Sequence, residues 1–93
     1  MDDEENNKNA LITKLQDIID FESNDIHDFY RSLCCVSADI REQIPIDSSI
    51  YQIFKIDMEC LYNQTRLGYS EYDQFVIKNC NITLSEMIAY LIS

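Results

Sequence analysis

Apolar residues return at helical spacing along most of the chain. Leu11, Leu15, Ile18 and Ile19 fall at i, i+4, i+7 and i+8, one stripe of a helix that starts near Asn9. Ser23-Asn24-Asp25 interrupts the stripe with residues suited to an N-cap. A second helix follows, with Ile26, Phe29, Leu33 and Val36 on one face and Tyr30 and Cys34 beside them. Residues 37–49 hold the single proline, Pro45, which pushes Ile44 out of helical geometry. This stretch reads as an ordered connection, with Ile40, Ile44 and Ile46 lying across the core. Asp47-Ser48-Ser49 caps a short turn through Phe54, and a third helix is predicted from near Asp57 through Leu61 toward Leu67. The only glycine, Gly68, stands where a helix C-terminus wants one. Tyr72, Phe75 and Val76 predict a short helix over 71–78. Thr83-Leu84-Ser85-Glu86 reads as a capping box opening a last helix with Leu84, Met87, Ile88 and Leu91. Residues 1–9 are polar, acidic and Asn-rich and read as a flexible tail, leaving 10–93 as one helical domain.

Composition sharpens this picture. A chain of 93 residues with 46% apolar side chains supports one compact core. One glycine and one proline are too few for the turns of an all-β fold. Seven basic residues against 17 acidic ones give a formal charge of −10. Such a surface repels phosphate backbones and anionic membranes, so neither nucleic acid nor membrane is an expected partner; proteins with basic docking patches are. No apolar run approaches ~18 residues, and an acidic N-terminus is the reverse of a signal peptide, so a cytoplasmic protein is expected.

Candidate chemistry is sparse. His27 is the only imidazole and lies among the carboxylates of Asp25 and Asp28. Cys34, Cys35, Cys60 and Cys80 lack zinc-ligand spacing and read as free thiols that serve as small core hydrophobes. Asp17, Asp20, Asp25 and Asp28 lack the spacing and central glycine of a calcium loop. No metal site and no enzyme are expected. An acidic helical surface instead suits transient docking, with charge setting orientation and a small apolar spot setting affinity.

The stretch from Ile44-Pro45-Ile46 through Ser49-Ile50 to Phe54-Lys55-Ile56-Asp57 resembles the segment that leads into the prosthetic-group site of acyl carrier proteins. Ile82-Thr83-Leu84-Ser85-Glu86 resembles the start of that family's last helix, the interval from Asp57 to Thr83 is close to the family's usual one, and Ile26 to Val36 resembles the end of its first helix. The resemblance spans about residues 25–93. It implies a small all-α four-helix bundle with acyl-carrier-like topology, plus an extra N-terminal helix. It also implies a serine at the start of the third helix that receives 4′-phosphopantetheine. This chain has Met58 at that position, beside Asp57, with Lys55 for the motif glycine and Glu59 for an apolar residue. A thioether cannot accept the arm. An alternative frame takes Asp47-Ser48 as the motif pair, at the expense of an insertion before Thr83 and of Ser49 in place of leucine.

Two functions follow as expectations. One is a carrier-like protein, bearing an acyl group on a phosphopantetheine arm at Ser48 or, without the arm, docking on acyl-transfer or synthase enzymes through Asp57, Met58 and Glu59. The other is a helical adaptor or inhibitor unrelated to carriers.

Overall fold

The computed structural model describes residues 3–68 and 71–93. The chain folds into four α-helices, α1 (Asp3–Phe21), α2 (Ile26–Gln43), α3 (Ser49–Leu67) and α4 (Asp73–Ile92), with no strand among the described residues. It is an all-α four-helix bundle: the periodicity predicts the class, and the N-terminal helix is one of the four rather than an addition to them. Each helix packs on the next, α4 closes the ring against α1, and α2 also reaches α4 across the middle. Leu11, Leu15, Phe29, Leu33, Ile40, Ile44, Leu61, Leu84 and Met87 are almost wholly buried in the shared core.

The elements are longer and fewer than the sequence predicts. The N-terminal helix is the first member of the bundle and begins at Asp3, inside the expected tail. Asp3, Glu4 and Glu5 occupy its first turn, where acidic side chains complement the positive end of the helix dipole. Met1 and Asp2, the start of that tail, lie outside the described residues. At the other end Glu22 takes a left-handed φ of 51° as the chain turns.

Asp25 caps α2 as expected, its carboxylate accepting from the backbone N–H groups of His27 at 2.8 Å and Asp28 at 3.4 Å. Ile44 is extended ahead of Pro45, also as expected. However, 37–43 is helix rather than connection, because Ile40 and Ile44 prolong the stripe of Phe29, Leu33 and Val36 at intervals of three or four. Ile40 and Ile44 do lie in the core, whereas Ile46 is 61% exposed in the short link 44–48.

The expected turn through Phe54 and the helix from Asp57 are one helix. Ser48 is the N-cap of α3, accepting from the Tyr51 N–H at 3.3 Å and donating to the Pro45 carbonyl at 2.6 Å. Phe54, Met58, Leu61 and Thr65 keep one face inward, and nothing between Ser49 and Leu67 breaks the backbone ladder. Gly68 ends it at φ 73°, donating its N–H to Gln64.

α4 likewise absorbs the short helix of 71–78 and the expected capping box. Ile77, Cys80, Leu84, Met87 and Leu91 form a single buried stripe that runs straight through Thr83. A Thr-x-x-Glu pattern caps a helix only where the preceding backbone leaves the ladder, and here it does not. At 20 residues α4 is long and apolar enough to cross a membrane by length and composition. It buries six side chains and packs against all three other helices.

Candidate docking surface on the third helix

All four residues singled out by the sequence lie on or beside α3. Ser48 stands at its N-cap, and Asp57, Met58 and Glu59 lie in its middle. Consecutive residues on a helix diverge by about 100°. The three mid-helix residues therefore do not share one surface.

Asp57 turns toward α4. Its Oδ2 is 2.5 Å from the Thr83 hydroxyl, which is also 3.3 Å from the Asn79 carbonyl of its own helix. With one proton to give, the hydroxyl donates to the nearer carboxylate. Thr83 is buried and Asp57 half-buried. Burial raises the Asp57 carboxyl above the usual carboxylate range; the Thr83 hydrogen bond opposes the rise and the charge of Glu86 adds to it. Of the four cysteines expected in the core only Cys80 is buried, in the same environment as Asp57, whereas Cys34, Cys35 and Cys60 fall on outward helix positions and are exposed. Burial, together with the charges of Asp57 and Cys60, pushes the Cys80 thiol up to about 12. Cys80 therefore stays protonated at neutral pH and is no nucleophile. The Thr83–Asp57 pair is the role the sequence hides, because the capping-box reading assigns the same hydroxyl to a helix start.

Met58 and Glu59 turn the other way, toward α2. With Tyr30, Lys55, Tyr62 and Asn63 they line an open cleft of about 480 Å³ between α2 and α3. Tyr30 and Tyr62 meet at a ring-centroid distance of 6.1 Å, tilted by 47°. The Arg66 guanidinium lies 6.0 Å from the Tyr62 ring. Burial, with the Cys34 thiol beside it, raises the Tyr30 hydroxyl above its usual value. Met58 is half-buried against the core and offers a deformable thioether to whatever enters. Lys55 and Glu59 add one charge of each sign at the rim.

Ser48 is well separated in sequence from this cleft, nearly three turns N-terminal of Met58 at about 3.6 residues per turn. The start of α3, where an attachment serine is expected by resemblance, is at Ser48 and not at Met58. His27 is exposed near the N-terminus of α2, with Asp25 and Asp73 among its neighbours around an open depression. Among the described residues no group of three or more His, Cys, Asp or Glu side chains converges to hold a metal.

Comparison of the chain with protein-family models, with curated proteins and with solved structures finds no match.

Proposed function

We propose that this protein is a non-catalytic docking module, an acidic four-helix bundle that engages a partner protein through the cleft between α2 and α3. The observation that carries the reading is the cleft itself: an aromatic floor from Tyr30 and Tyr62, the flexible Met58, and one charge of each sign at the rim. Apolar centres with polar rims are how small interfaces combine affinity with orientation. The surrounding −10 charge favours a partner with a basic patch and speeds its approach. The test is a photo-crosslinking amino acid placed at Lys55, compared with the same group at Asp17 on the far side. A specific adduct from position 55 that Met58→Asp removes supports the cleft. Equal adducts from both positions rule it out.

A second reading is favoured by one feature. Ser48 follows Asp47 and stands at the N-terminus of α3, the position where the carrier resemblance expects its serine. In this reading Ser48 carries 4′-phosphopantetheine. The test is intact mass after incubation with coenzyme A and a broad-specificity phosphopantetheinyl transferase. Loading of the wild type and its loss in Ser48→Asp, which keeps a cap but has no hydroxyl, would establish a carrier. Met58→Ser is expected to stay unloaded, because a mid-helix hydroxyl is not offered at a helix start.

A further inference from the structure

The outer flank of the α3–α4 pair is apolar and nearly free of charge. On α3, Ile53, Ile56, Cys60 and Leu67 recur at intervals of three, four and seven, the spacing of a coiled-coil seam. This seam is not the one that faces the core, which runs through Phe54, Met58 and Leu61. Ile53 and Cys60 lie one turn to either side of Asp57, on its outward flank, and Asp57 faces α4 through Thr83. The seam therefore borders α4. The matching outer stripe of α4 brings Phe75, Ile82 and Tyr90 alongside, with Asn79 and Glu86 between them. Ile56 is 60% exposed and Phe75 65%. In a chain with 26% charged residues, Glu86 is the one charge on these two stripes among the described residues.

We infer that this face pairs with a second copy of the same chain. Three observations select that occupant. The first is where the charge lies. Residues 1–47 carry twelve acidic against four basic side chains, a net −8, whereas residues 48–93 carry five against three, a net −2. Pairing through α3 and α4 sets the two strongly acidic halves on opposite outer sides, where salt screens them from each other. A basic partner would instead be drawn to α1 and α2, and a membrane-surface helix would need lysines and arginines flanking its apolar stripe. The second observation is area. The six exposed large apolar side chains of the face present on the order of 700 Å², against about 800 Å² per partner in a standard-size interface. The third is the symmetry of the seam. Cys60 stands midway between Ile53 and Leu67, two turns from each, so a two-fold axis through the seam sets Cys60 against its own copy. The inference is independent of the α2–α3 cleft, which stays open in such a pair.

Sedimentation equilibrium tests it directly. The wild type is expected at twice its 10.9 kDa chain mass. Ile53→Glu with Ile56→Glu is expected to give the monomer mass with unchanged helical content. Phe21→Glu, which alters an exposed apolar residue at the end of α1 away from the seam, is expected to leave the dimer. A short bis-maleimide should join two chains through Cys60, be lost in Cys60→Ser, and persist when Cys34 and Cys35 are serine. A monomer mass for the wild type would overturn the inference. So would a dimer that survives the paired glutamates, or a crosslink that needs Cys34 or Cys35 rather than Cys60.

Discussion

Asp57 titrates at a raised pKa in the folded chain, so the native state holds a proton that the unfolded chain has already released. Its contribution to stability is full below the unfolded carboxylate value and is lost as pH rises through the folded one. Asp57→Asn keeps an acceptor for Thr83 and removes the titration. The expected result is a stability difference, variant minus wild type, that is larger at pH 7 than at pH 3, measured by urea unfolding. A difference that shrinks as pH rises would mean that the charged carboxylate is favoured in the fold. The two left-handed residues give a second, paired expectation. Glu22 at φ 51° bears a side chain where glycine is easier, and adds a negative charge at the negative end of α1. Glu22→Gly should raise stability by up to about 1 kcal/mol. Gly68→Ala should lower it by about 1–2 kcal/mol, although nothing lies within 4 Å of an added Cβ, because the cost is in the backbone at φ 73°. Thermal unfolding of the two variants in parallel checks both signs.

At the scale of the helix, local signals and long-range ones were not equally readable. Asp25, Ser48, Pro45 and Gly68 act through their own backbone neighbours, and each does in the fold what its chemistry announces in the sequence. The starts of α3 and α4 were less visible. Polar residues such as Asp57 and Thr83 look like breaks in an apolar stripe, yet they satisfy each other across two helices and let both helices run on. Only the packing of α3 on α4 reveals that pairing. The same limit applies to the cleft. Met58 and Glu59 were legible as surface candidates on α3, but Tyr30 joins them from a helix that the sequence leaves unplaced. Continuity of α3 makes Phe54 a core residue of a long helix rather than of a loop. It is 4% exposed, and Phe54→Ala should cost about 3–5 kcal/mol. A loss below ~1 kcal/mol in denaturant melts would place that turn of α3 at the surface.

The whole molecule carries far more negative charge than its ion pairs neutralise. Among the described residues two salt bridges form, Lys14–Asp39 at 3.0 Å and Arg31–Asp28 at 3.4 Å, and both are exposed. Pairs of this kind contribute at most about 1 kcal/mol, so added salt has little attraction to weaken and much repulsion to screen. The melting temperature should therefore rise between low and moderate sodium chloride. A fall would mean that attractive pairs dominate the surface.

α4 touches every other helix, and it is also the last of the four to leave the ribosome. Until it emerges, the nascent chain displays the inner faces of Leu11, Leu15, Phe29 and Leu33 with their covering helix still unsynthesised. Assembly therefore waits for α4 rather than advancing stepwise as each earlier helix appears. A message truncated upstream of α4 yields a sticky polypeptide instead of a smaller stable one. A fragment ending at Tyr72 should show little helical circular dichroism and should recover it when the α4 peptide is added.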